Sequence, residues 1–124
     1  MDENPKTIFG QAKIPLHVIP PRALLQVGQA MHIGKEKYGH FNWRHAAVPA
    51  TIYYDAALRH WMSWFDREEL DPATGISHLA FAAANALILL DAQAGNHMID
   101  DRHPVAGTTG PFITLTTKLI GDPP

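Results

Sequence analysis

Over three stretches of the 124-residue chain, apolar side chains recur at helical rather than alternating spacing. The first follows Pro21, which suits the opening turn of a helix, and carries Leu24, Leu25, Val27, Ala30, Met31 and Ile33 up to Gly34. A second helix is predicted from near Thr51, a candidate N-cap, through YYDAALRHWMSWFDREEL until Pro72 ends it. After the turn DPATGIS, the run HLAFAAANALILLDAQ predicts a third helix, which Gly95 can terminate. Its alanines permit close packing, and the short turn makes the second and third helices antiparallel neighbours.

Between and beyond these helices the pattern breaks. KIPLHVIPP at residues 13–21 is apolar but holds three prolines, which predicts an extended run packed on the body. Residues 34–49 mix glycines, basic residues and aromatics without periodicity, as a folded binding loop does. After Gly95 a tail is expected, with PFITLTTKLI either a short strand or an extended arm. The expected fold is all-α: a compact antiparallel helical bundle with extended N- and C-terminal arms. By size it is one domain over residues 1–124, with a core at about 13–95 and a tail at 96–124. The Leu, Ile, Trp and Phe residues exceed what one small core covers, which points to a homo-oligomer.

Composition narrows the function classes. Without cysteine there is no disulfide framework, thiolate nucleophile or cysteine zinc site. The acidic opening MDENPKTIFG does not read as a signal peptide, and the apolar stretch at residues 79–90 is too short for a membrane span; a cytoplasmic setting is expected. A formal net charge of −2 gives no general attraction to polymeric nucleic acid or an anionic membrane. The GxxxxGK[ST], GxSxG, HExxH and GxGxxG signatures and an adjacent His-Asp pair are all missing.

On the second predicted helix His60, Trp64, Glu68 and Asp71 fall on one drifting stripe, with Glu68 and Asp71 one turn apart. His78 and Asn85 share a stripe on the third helix. Across the turn His60, Glu68, Asp71 and His78 can converge as metal ligands, with Glu68, Asp71 and His78 as the catalytic set. Such carboxylates suit Mg²⁺ or Mn²⁺ carrying phosphates, and a histidine tilts the choice towards Mn²⁺. The plainer alternative is a solvated acidic helix end. Lys37, Arg44 and Arg59 can neutralise a polyphosphate, Tyr38, Phe41 and Trp43 can stack on a base or sugar, and Asn42 can read polar edges. Asn85 joins this nucleotide-binding set. Against it stand core packing for the aromatics and a simple i, i+4 ion pair for Asp55 and Arg59. His97, Asp100, Asp101 and His103 read as a solvated loop.

Four segments, in order, carry a resemblance: KIPLHVIPP, GKEKYGHFNWR, YDAALRHWMSWF and REELDPATGISHLAFAAANALILL. Their most specific pieces are KYG-x-x-NWR, A-L-R-H and D-P-x-T-G-x-x-H-L. They resemble the dATP/dGTP diphosphohydrolases of phages, a MazZ-like branch of the all-α nucleoside triphosphate pyrophosphatases related to MazG. The resemblance implies an oligomer, a dimer or tetramer, with helix-borne acids and two or more Mg²⁺ or Mn²⁺ ions. It also implies in-line attack of water on the α-phosphorus of a purine deoxynucleoside triphosphate, releasing pyrophosphate. In a phage, acting in the host cytoplasm, that reaction removes dATP and supplies dGMP for 2-aminoadenine nucleotide synthesis. Two departures are visible. Glu68 and Asp71 match ExxD, but no ExxE precedes them, and Ala73 stands where the related pattern has glutamate. The rival classes are a non-catalytic nucleotide-binding helical module and a phosphatase releasing orthophosphate.

Overall fold

A computed structural model of the chain describes residues 4–113. Among the described residues six α-helices run in the order α1 (Pro5–Gln11), α2 (Pro21–Tyr38), α3 (Asn42–His45), α4 (Ala50–Phe65), α5 (His78–Ala94) and α6 (Thr109–Ile113), with a 3-10 turn at Leu16–Val18. Among the described residues there is no strand, only isolated bridges joining Pro49 to Ile99 and Leu70 to Ser77. None of their helices is long and apolar enough to cross a membrane.

Helix α5 is the hub, packing against both α4 and α2 and touching α3. Ala30 of α2 and Ala80 and Ala84 of α5 are buried at the contact, with Val27, Met31, Ile76 and Phe81 around them. Methyl side chains let the helix backbones approach closely, at the cost of little apolar area per residue. The larger apolar groups lie elsewhere: Leu25 is 72% exposed, Met62 64%, Phe65 80% and Leu90 64%.

Several boundaries differ from the sequence reading. The N-terminal end, expected to be an extended arm, carries α1: the Asn4 side chain accepts from the Lys6 amide at 2.9 Å and Pro5 occupies the first turn. The run at 13–21 is broken by the 3-10 turn. Helix α2 continues past Gly34 to Tyr38, so Lys37 and Tyr38 are helical, and the rest of the expected loop contains α3.

Helix α4 ends at Phe65, well before Pro72. Arg67 takes a left-handed φ of 75°, the Glu68 amide donates to the Ser63 carbonyl, and the Arg67 amide donates to the Trp64 carbonyl. That pairing is a Schellman motif, which satisfies the last carbonyls and turns the chain away. Glu68 and Asp71 are therefore not one helical turn apart. The same device closes α5, where Asn96 rather than Gly95 is left-handed (φ 58°) and the His97 amide donates to the Ala92 carbonyl. At Gly95 a Cβ would sit 2.8 Å from the His97 ring, so a side chain there would require that ring to move.

The segment after α5 docks on the body. The Ala50 amide donates to the Ile99 carbonyl at 2.9 Å, and Asp101 accepts from the Thr51 amide at 3.0 Å and from its hydroxyl. Thr51 is thus inside the first turn of α4, and its cap comes from Asp101, 50 residues away. Asp100 pairs with Arg102 at 2.8 Å. The expected strand or arm in PFITLTTKLI lies largely outside the described residues; its first three residues belong to α6.

Candidate functional site

The D-P-x-T-G piece folds as a self-contained turn. The Asp71 amide donates to the Ile76 carbonyl at 2.8 Å, and the Asp71 carbonyl accepts from the Gly75 amide at 2.7 Å, where Gly75 has φ 73°. The Asp71 carboxylate accepts from the Thr74 hydroxyl at 3.0 Å and the Ala73 amide at 3.3 Å. These bonds make Asp71 an Asx-turn residue, and the turn carries the chain back to the start of α5. There Ser77 caps the helix, accepting from the Leu79 amide at 3.1 Å, and His78 is the first helical residue.

His78 is buried, 4% exposed, and both its ring nitrogens are engaged. Nε2 lies 2.7 Å from Glu68 Oε1, and Nδ1 lies 2.8 Å from His60 Nδ1. The His60 ring stacks on Phe81 with centroids 4.8 Å apart. Burial, with His78 second, pushes the His60 pKa below the ordinary histidine value, so His60 is neutral near pH 7. Three of the four expected metal ligands therefore meet, but as a hydrogen-bonded line; Asp71 is occupied in its turn. Among the described residues no group of three or more His, Asp or Glu side chains is disposed to hold a metal ion.

Next to this line is a cavity of about 690 Å³ between the C-terminal half of α2, α3, α4 and α5. It is the size of a small-molecule site. Lys37, Tyr38, Asn42, Trp43, Arg59 and Asn85, all expected to bind nucleotide, line it together with His60. Asp55 does not pair with Arg59 among the described ion pairs, and Arg59 is part of the cavity wall. The wall also includes Lys35, His40, Tyr53 and Phe81, which the sequence reading missed. Phe81 was within reach of it, being one turn from both His78 and Asn85 on the stripe already drawn. Asn85 donates through Nδ2 to the Phe81 carbonyl at 2.8 Å.

Arg44, expected on the phosphates, has another partner. Its Nε and a terminal nitrogen donate to the two carboxylate oxygens of Asp91 at 2.8 and 2.7 Å, and Trp43 Nε1 donates to Asp91 at 2.7 Å. The guanidinium also sits 4.3 Å over the Phe41 ring. The N-W-R piece thus pins α3 to α5, and buried Trp43 forms the cavity wall from behind. Nothing local in sequence marks Asp91, 47 residues from Arg44.

The hydrogen bonds from Arg44 and then Trp43 hold the Asp91 carboxyl down at about 2. A depressed carboxylate stabilises the fold above its unfolded pKa of ~3.9, and that contribution disappears as pH falls through the folded value. The Trp43 indole N–H resonance should therefore stay put down through the ordinary carboxylate range and move only near pH 2. A midpoint near pH ~4 would show that the Asp91 clamp is absent in solution.

The family described as dATP/dGTP diphosphohydrolase, N-terminal, matches residues 3–102. Over 102 residues the chain is 31% identical to a dATP/dGTP diphosphohydrolase of Salmonella phage PMBT28, an alignment covering 82% of this chain and 34% of that relative. The chain thus spans about a third of the length of the curated relative it matches. No solved structure matches it. With four-fifths of its residues inside one family's bounds, and the turn, line and cavity all within them, the chain belongs to the dATP/dGTP diphosphohydrolase N-terminal family.

Proposed function

We propose that the chain binds a purine deoxynucleoside triphosphate in the α2–α5 cavity and hydrolyses it to the monophosphate and pyrophosphate. The observation that carries this reading is the cavity wall, where cationic Lys35, Lys37 and Arg59 share one space with Tyr38, Tyr53, Asn42 and Asn85. Cations match a polyphosphate, while rings and amides match a nucleoside. Family membership supports the same substrate class.

Mg²⁺ or Mn²⁺ is part of the proposal. The donors suit an ion brought largely by the triphosphate: the Glu68 side chain is 52% exposed with one oxygen outside the His78 contact, and Asp71 has spare lone pairs beyond its turn bonds. His78, with both nitrogens engaged, does not fit as a ligand. Bound there, the ion would supply charge neutralisation and a more acidic water. The chain's own part is to hold the phosphates with Lys37 and Arg59 and to enclose the base among Tyr38, Phe81 and Trp43. The Pα–O bond to the β-phosphate is the one broken, and pyrophosphate leaves.

Arg59→Ala should raise KM for dGTP by about tenfold to a hundredfold, the ~1.5–3 kcal/mol of one charge-assisted contact. An unchanged KM would remove Arg59 from the substrate. Self-association, a setting in the host cytoplasm and supply of dGMP for 2-aminoadenine nucleotide synthesis complete the proposal. A second reading, a nucleotide-binding module without turnover, draws on the lack of a clustered metal set among the described residues. Incubation with dGTP and Mn²⁺ followed by ion-exchange chromatography separates them. The hydrolase gives dGMP and pyrophosphate; intact dGTP would leave the binder, and dGDP with orthophosphate a phosphatase.

A further inference from the structure

Asn85 stands on α5 one turn beyond Phe81, lines the cavity and is half-buried. Its Nδ2 donates to the Phe81 carbonyl at 2.8 Å. A carbonyl only accepts, so that contact admits the amide nitrogen and repels the amide oxygen, and the helix itself fixes which way the side chain faces. Oδ1 accepts no hydrogen bond from the described residues, while none of their buried side-chain oxygens or nitrogens lacks a partner. Oδ1 is therefore open, and the open space beside Asn85 is the cavity. Helix α5 begins at His78, against Glu68, so the acidic end of the site lies there. Asn85 is seven residues further on, about 10 Å along the axis, with the cavity residue Ile88 on the same face beyond it. An ion and the phosphates belong at the first end, which leaves the base at the second.

We propose that Asn85 is a specificity-determining residue whose Oδ1, held open by the bond from Nδ2 to the Phe81 carbonyl, accepts an N–H of the purine base. This rests on the nucleotide reading of the cavity. Adenine carries an amine at C6 and guanine an amine at C2, so one oriented acceptor serves either base. A purine stripped of such groups presents only ring nitrogens, which are themselves acceptors, and sets a lone pair against Oδ1. A site built around a hydrogen bond discriminates against the analogue that lacks the donor, because the protein group is then left unpaired. Turning the amide over to offer a donor instead would give up the bond to Phe81.

Calorimetry with Mg²⁺ and α,β-methylene triphosphates, whose bridging carbon blocks the proposed Pα–O cleavage, tests it. Two ligands are compared: the analogue of dGTP, and that of unsubstituted purine deoxyriboside, which keeps the sugar, phosphates and ring system but has no N–H on the base. The unmodified protein is expected to bind the guanine ligand about tenfold more tightly, the effect of one hydrogen bond. Asn85→Leu is similar in shape but has no acceptor. In it the guanine ligand should weaken about tenfold, the unsubstituted one should bind as before, and the preference should vanish. The Phe81 carbonyl keeps the backbone N–H of residue 85 as its helical partner, so α5 should persist, and Asn85→Ala repeats the comparison if the leucine variant does not fold. Equal binding of the two ligands by the unmodified protein, or a preference that survives the substitution, would overturn the proposal. So would equal weakening of both, which assigns Oδ1 to a sugar hydroxyl or to packing. Should the unmodified protein bind neither ligand, the nucleotide reading falls and the proposal with it; binding of both without preference sinks the proposal alone.

Discussion

In excess EDTA, turnover of dGTP is expected to fall by at least about a thousandfold and to return when Mg²⁺ or Mn²⁺ is added. Divalent ions contribute several kcal/mol of transition-state charge stabilisation in reactions of this type, and each ~1.4 kcal/mol is tenfold. Here the requirement is steep because the chain itself is net anionic, at −2, and Arg44 is bound to Asp91 instead of facing the phosphates. Full turnover in chelator, followed by the same chromatography, would sink the metal requirement. Asp71→Asn sharpens the point. Asparagine keeps one oxygen to accept the Ala73 bond and can donate its amide to the Thr74 hydroxyl, so the turn should survive while the ion loses a charged ligand. A higher Mn²⁺ requirement at nearly unchanged melting temperature is expected; an unchanged requirement would leave Asp71 a turn residue alone.

The chain is expected to be at least a dimer at micromolar concentration, and Met62→Lys with Phe65→Glu is expected to break it into monomers. Its core is built mainly from alanine methyls, while Trp61, Met62 and Phe65 at the end of α4 stand 49%, 64% and 80% exposed. Isolated apolar residues on a surface are ordinary, but several neighbouring ones at one helix end are what a subunit contact would cover. A stable interface removes about 800 Å² per partner, which several such side chains go far to supply. Burying an unpaired charge in it costs about 3 kcal/mol or more, at least a hundredfold in affinity per substituted contact. Light scattering reads the mass directly. A monomer before substitution, or an unchanged oligomer after it, would place the interface elsewhere or remove it.

The three long helices were legible because their apolar spacing and breakers agree: Pro21 opens α2, and α5 runs His78–Ala94 as its alanine-rich pattern requires. The end of α4 was not. Proline marks the last place a helix can stop, whereas the actual stop is a left-handed Arg67, a conformation its residue type does not advertise. That error moved Glu68 and Asp71 off their stripe. Yet Glu68 still reaches His78, because the DPATG turn returns the chain where a longer helix would have overshot. Lys37, Tyr38, Asn42, Trp43, Arg59 and Asn85, grouped in the sequence by charge, aromaticity and helix register, do line one cavity. The pairing of Arg44 was not legible: its partner Asp91 lies on another helix, and long-range pairing leaves no local trace. Asp101 as the cap of α4 is a case of the same kind.

Hydrolysis of dGTP with Mn²⁺ in ¹⁸O-enriched water, with mass spectrometry of both products, tests the proposed reaction most directly. Attack on the α-phosphorus places one ¹⁸O in dGMP and none in the pyrophosphate, and that is the expected result. Label in pyrophosphate, label in orthophosphate beside dGDP, or unreacted dGTP would each contradict it.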